Sequence, residues 1–234
     1  MKPLANSPII EALAQINYDA TSPISFEDIE IAAKLFNYTN IEDINELQLL
    51  PDGKFELSKF GKKLTKSDEN TFFQITRHFF ACSITEKYQD WTNFSEFTNK
   101  HLSTFLSALT LGNINRLALR YTNKIPISGG LKNLDKILNV RPEINMISSF
   151  APETINMQIT MPVEKIDGRA NVSIRVDQTG KDASILLLDL DVFMTGNFKP
   201  ELNSLMLEFN KIRDVKNEIF KKVLTNDCIN SFNG

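Results

Sequence analysis

Two pairs of charged residues stand at spacings that suit chemistry. Arg116 and Arg120 lie four apart in INRLALRYTN, and Asp189 and Asp191 lie two apart in SILLLDLDVF. A guanidinium is a planar fork of donors, matched equally to a carboxylate or a phosphate. Carboxylates at alternate positions of a strand share one side, roughly 7 Å apart at Cα. Such a pair can hold Mg²⁺ or Mn²⁺ if a further ligand completes the site. Asp177 and Glu11 are the third ligands to test. Neither is near in sequence, so no metal is assigned, and the arginines and aspartates read as one charge network. Arg175 joins them as the third arginine at a polar strand position.

The remaining motifs point to structure. His78 sits beside Arg77 in an aromatic run, and His101 lies on a stripe with Phe94, Phe97 and Phe105. Both read as packed or edge histidines. Cys82 follows His78 by four, which would place them on one face of a strand. A Cys–His catalytic pair there lacks an orienting third group. SGGLKN puts two glycines before a helix start, a geometry that can cradle phosphate. It matches neither the phosphate-loop nor the dinucleotide fingerprint, and a plain turn is the simpler reading. GxSxG, HExxH and cysteine–histidine zinc spacings are absent. No cofactor is named.

These residues need elements to position them. Residues 114–123 present Arg116 and Arg120 on one side as a helix or as a strand. Turn signals decide: GN precedes the segment and KIPISGG ends it, leaving about ten alternating residues that favour a strand. PIIEALAQINYDA, TINMQITMPVE, ANVSIRVDQ and SILLLDLDVF alternate in the same way. NELQLLPDGKFELS reads as a hairpin turning at PDG, and DQTGKD as a second turn. NTFFQITRHFFACSI reads as one aromatic, β-branched strand. Ser25 and Asp28 make a capping box ahead of Ile29, Ala32, Ala33 and Phe36 at helical spacing. Phe94, Phe97, His101, Phe105 and Leu109 mark a second helix, and LKNLDKILNV a short third. A long helix closes the chain. Pro200 stands at its first position, and Leu202, Leu205, Phe209, Ile212, Ile219 and Val223 form its buried stripe, with a break near Asp214.

The fold class is α+β: an antiparallel sheet with helices packed on one face, a polar and charged opposite face, and a long C-terminal helix. The polar series is Glu11, Gln15, Asn17, Arg116, Arg120, Thr122, Asn156, Gln158, Thr160, Ser173, Arg175, Asp177, Asp189 and Asp191. Residues 1–234 make one domain, with two lobes, 1–128 and 129–234, as the alternative organisation. The halves share a loose plan of strands followed by a helix.

With 26 basic and 29 acidic residues, the net charge of −3 does not favour nucleic acid, although a local basic patch is compatible with it. The phenylalanines follow core spacing rather than a stacking platform. Two distant cysteines, Cys82 and Cys228, suit reduced thiols in the cytoplasm. No apolar run approaches a membrane span, and MKPLANSPIIEALAQ lacks the apolar core of a secretion signal.

PLANSPIIEALAQINYD, RLALRYTNKI and LLDLDVF together resemble a sporadically distributed, uncharacterised prokaryotic family of about this length. Its most distinctive motif is an Arg-x-x-x-Arg-Tyr-x-Asn strand, here Arg116, Arg120, Tyr121 and Asn123. The chain departs from that motif at Ala118, where the family carries glycine, and at Thr122, where it carries a bulkier residue. The resemblance implies a mobile-element, toxin–antitoxin or antiviral (phage-defence) setting. It supplies no catalytic residues.

The expectation is a non-enzymatic protein-binding or partner subunit using Arg116, Arg120, Arg175, Asp189 and Asp191. Its partner would be another protein from the same operon, or a second copy. The alternative is a divalent-metal-dependent hydrolase or nuclease built on Asp189 and Asp191.

Overall fold

The computed structural model describes residues 4–20, 24–36, 38, 40–49, 53–66, 70–86, 88–140, 153–180 and 182–233. It shows nine antiparallel strands in one sheet, with helices and a long helix near the C-terminus. The first strand, β1 (Ile9–Ala20), forms as its alternation predicts, with Ala12, Ala14, Ile16 and Tyr18 buried. The buried Tyr18 hydroxyl donates to the Thr76 carbonyl at 2.6 Å, and burial raises its pKa well above the ordinary range. Helix α1 (Phe26–Lys34) starts at the capping box. Asp28 N–H donates to Ser25 Oγ at 3.1 Å, and Ser25 N–H donates to Asp28 Oδ2 at 2.9 Å. The shorter aspartate thus serves where glutamate is usual.

Strands β2 (Asn40–Leu49) and β3 (Phe55–Lys66) form the expected hairpin, although Pro51 and Asp52 of its turn lie outside the described residues. The segment read as a single aromatic strand is two: β4 (Thr71–Thr76) and β5 (Phe79–Thr85). The reason is local. Thr76 Oγ1 accepts from the backbone N–H of His78 at 3.1 Å and of Phe79 at 2.9 Å, closing a tight turn at Arg77–His78. Helix α2 (Trp91–Ala108) begins at Asp90, whose Oδ1 accepts from Asn93 N–H at 2.9 Å.

Strand β6 (Leu111–Ser128) settles the geometry of the arginine segment and is longer than its turn signals suggested. Neither GN nor KIPIS interrupts it: GN falls in an irregularity between the Leu111–Ala20 and Ile114–Tyr18 pairs with β1, and KIPIS is held by the ladder to β9. The chain leaves β6 through Gly129 and Gly130, at φ +82° and +67°, a backbone that side chains disfavour. A 3₁₀ turn follows over Gly130–Lys136. Strands β7 (Thr154–Val163), β8 (Gly168–Gly180) and β9 (Ala183–Phe198) then form a meander. Helix α3 (Leu202–Val223) runs unbroken through Asp214, and a short helix α4 (Asn226–Ser231) follows. Pro200 lies just before the helix rather than in its first turn; Glu201 is the cap.

The strand order is β2-β3-β4-β5-β1-β6-β9-β8-β7. The central pair β1–β6 is flanked on each side by the last strand of the same half, β5 or β9, and each of those strands is followed by a long helix, α2 or α3. One core joins them. Beneath β1, β4 and β5 it is aromatic: Phe73, Phe80, Phe97 and Phe105 pack together, with the His101 ring 4.5 Å from Phe73 and from Phe97. Beneath β6, β8 and β9 it is aliphatic, with Val172, Ile174, Leu186, Leu188 and Leu190 packed with α3. Among the described residues no helix is long and apolar enough to cross a membrane.

Candidate functional site

The strand pairing β6–β9–β8–β7 positions the charged residues. Along β6, Leu117, Leu119 and Tyr121 are buried in the core, and the alternate positions carry Arg116, Ala118, Arg120 and Thr122. Along β9, Leu188, Leu190 and Val192 are buried and alternate with Leu187, Asp189, Asp191 and Phe193. In the register Arg120 stands opposite Asp191, and Thr122 opposite Asp189. The ion pairs do not follow that register. Arg120 leans along the strand, and its Nε donates to both carboxylate oxygens of Asp189, at 3.0 and 2.9 Å. Arg116 lies over the Phe193 ring, 4.4 Å from its centroid, and its Nη2 donates to both oxygens of Asp191, at 3.2 and 3.0 Å. Both arginines lean the same way, so each carboxylate receives one fork.

Asp191 is also the end of a polar chain across three strands. Thr160 on β7 donates to Asn171 Oδ1 at 2.9 Å, and Asn171 Nδ2 on β8 donates to Asp191 at 3.3 Å. Arg175 stands apart from this chain. Its Nε pairs with Asp177 of its own strand at 2.8 Å. The structure thus brings Arg116, Arg120, Asp189 and Asp191 together, and puts Arg175 one strand away with its own carboxylate. Burial grades the pairs. The Arg116 and Asp191 side chains are 23% and 22% exposed, whereas Arg120 is 52% exposed. Hydrogen bonding to Asp189, partly offset by desolvation, raises the Arg120 pKa above its ordinary value.

Three arginines therefore meet three aspartates, and the network is neutral overall. Its arginines already face carboxylates, which offset the positive charge that a phosphate would seek. The same pairing bears on metal. Asp189 and Asp191 each accept from an arginine, and among the described residues no three histidine, cysteine or acidic side chains converge.

Asn171, Thr160 and Phe193 extend the site beyond the residues singled out from sequence. Strand alternation put Asn171 on the same side as Ser173 and Arg175, which was the available signal. The other sequence candidates fall elsewhere. His78 occupies the β4–β5 turn, so it does not share a strand face with Cys82. Cys82 is fully buried, and burial pushes its thiol up to about 12. Cys228 is also a free, buried thiol. His101 packs among phenylalanines, with Nδ1 2.7 Å from the Phe97 carbonyl. Gly129 and Gly130 make a turn. No family model matches this sequence, and no curated protein matches it either.

Proposed function

We propose that this chain is a cytoplasmic binding subunit without a reaction of its own, and that it docks another protein on the side of the sheet bearing Arg116, Arg120, Arg175, Asp189 and Asp191. One observation carries the reading: three arginines and three aspartates of this surface pair off in a fixed, partly exposed array. Such an array offers donors and acceptors in a set pattern and no net field. It suits a protein surface of complementary polarity better than a polyanion. Half-exposed Leu13, Phe72, Phe79, Leu187 and Phe193 occupy strand positions of the same series. Aromatic residues mixed with arginine are typical of protein interfaces. The buried strand series and the described helices share one core, which leaves this side uncovered by any described helix. Nine strands at ~4.8 Å spacing give a width of roughly 40 Å, room for the ~800 Å² that a stable partner covers.

We take the partner to be encoded in the same mobile-element or phage-defence operon, on the strength of the family resemblance; a second copy of the chain is the competing occupant. The test exchanges one ion pair. The double variant Arg120→Asp with Asp189→Arg keeps the internal attraction but inverts its direction. Purified from its native host, the tagged wild-type chain is expected to carry a stoichiometric protein partner, and the exchanged variant to lose it at unchanged melting temperature. A partner retained by the exchanged variant removes the sheet face from the interface.

A divalent-metal hydrolase on Asp189 and Asp191 has less support, because both carboxylates are held by arginines. It requires those forks to swing away. Calorimetric heat with Mg²⁺ or Mn²⁺ that disappears in Asp191→Asn would favour it over docking.

A further inference from the structure

On the opposite side of β6 from Arg120 stands a second cluster, which the docking face does not use. Tyr121 points into the core beneath α3, and Lys216 of α3 sets its Nζ 3.9 Å from the centre of that ring. Lys216 is only 7% exposed, yet it makes no hydrogen bond or ion pair among the described residues. An ammonium in that position gives up most of its hydration with no carboxylate in return, which disfavours its charged form. It lines a cavity of about 220 Å³ at the start of α2, together with Tyr88, Trp91, Asp90 and Arg213.

The other charges at the cavity do not answer the lysine. Among the described residues Asp90 is its one acidic lining residue, and it is engaged as the α2 cap, accepting from both the backbone and the side-chain nitrogen of Asn93. Arg213, one turn before Lys216, stacks over Trp91 at 5.4 Å and pairs through Nη1 with Asp214 at 2.8 Å. Its buried Nε has no partner. Two cationic side chains with unused donors therefore border one cavity, beside the positive end of an 18-residue helix. At this cavity the buried cationic donors outnumber the carboxylates that answer them.

We propose that this cavity binds a small oxyanion, the carboxylate or phosphate group of a small organic molecule, between Lys216 and Arg213, with Tyr88 and Trp91 against the rest of the ligand. A cavity of this volume admits a small molecule. The site is independent of docking on the far side of the sheet. Burial, reinforced by Arg213, holds the Lys216 ammonium down to about 7. Tyr121 and Tyr88, which face it from β6 and from the start of α2, have phenols raised chiefly by burial and stay neutral near that pH. An anion restores the lysine's proton, so binding takes up a proton above pH 7 and weakens towards a limit of tenfold per pH unit.

Trp91 is the only tryptophan of the chain and borders the cavity, so its fluorescence reports occupancy directly. Sulfate and acetate, neither of which titrates in this range, serve as tetrahedral and planar probes, with chloride at equal ionic strength as control. The expected result is a saturable change with at least one of them, weakening with pH above 7 and at least tenfold weaker in Lys216→Met. The preferred shape assigns phosphate-like or carboxylate-like ligands. Should the methionine variant not fold, Arg213→Gln and the wild-type pH profile test the same site. No saturable response to either anion at tens of millimolar, or wild-type affinity in the folded variant, overturns the proposal.

Discussion

Two sets of cations lie on opposite sides of β6, and they are treated in opposite ways. Arg116 and Arg120 are partly exposed and each faces a carboxylate. Beyond Tyr121, Lys216 is buried and faces no carboxylate at all, while Arg213 beside it pairs with Asp214 through Nη1 alone. Charges that are wet and paired cost little and contribute little. A charge that is dry and unpaired costs stability throughout the life of the fold, so its retention points to a ligand rather than to architecture. The paired set shapes a surface; the unpaired lysine marks a cavity.

Removing the layer between them should have the largest effect. Tyr121 is fully buried, and Tyr121→Ala should cost about 3–5 kcal/mol in urea unfolding, as expected for an aromatic core truncation. A loss below 1 kcal/mol would mean that the two regions do not share this wall. Next comes the buried lysine. Its folded pKa of about 7 lies below the 10.5 of the free side chain, so the unfolded chain binds the extra proton in between. Stability should therefore rise with pH above 7, approaching ~1.4 kcal/mol per unit. The clean window closes near pH 8.5, where the thiols of the unfolded chain begin to ionise. Cys82 and Cys228, raised by burial to about 12 and 11 when folded, then pull stability the other way. Lys216→Met should abolish the slope in that window and stabilise the protein below it. An unchanged slope would show that the lysine is not the dry group.

The smallest effects belong to the paired side. Double-mutant cycles should give about 1 kcal/mol of coupling for Arg116–Asp191 and about 0.5 kcal/mol for the more exposed Arg120–Asp189, with the second the more sensitive to salt. Reversal of that order would contradict the burial gradient.

Much of the fold was legible because two-residue alternation survives in β1, β6, β7, β8 and β9, where one series of side chains meets a common core. The capping box of α1 was legible for the same local reason. The β4–β5 turn was not. It contains neither glycine nor proline and depends on one threonine hydroxyl bonding its own backbone, which competes evenly with strand pairing in a sequence. Arg116, Arg120, Asp189 and Asp191 could be grouped from sequence, but their partners could not. Side-chain lean, not register, chooses Asp189 for Arg120. Lys216 left a trace that was passed over: it falls four after Ile212 and three before Ile219, on the buried stripe of α3.

By itself the sequence determined which residues alternate, which helices have a greasy side and how many charges of each sign must be placed, since these follow from neighbours a few positions apart. Only the tertiary structure decided which charges find a counter-ion. Asp189 lies 69 positions from Arg120 and Lys216 lies 95 from Tyr121. Whether a charge is paired, wet or stranded depends on the dielectric and the company it meets after the chain has closed.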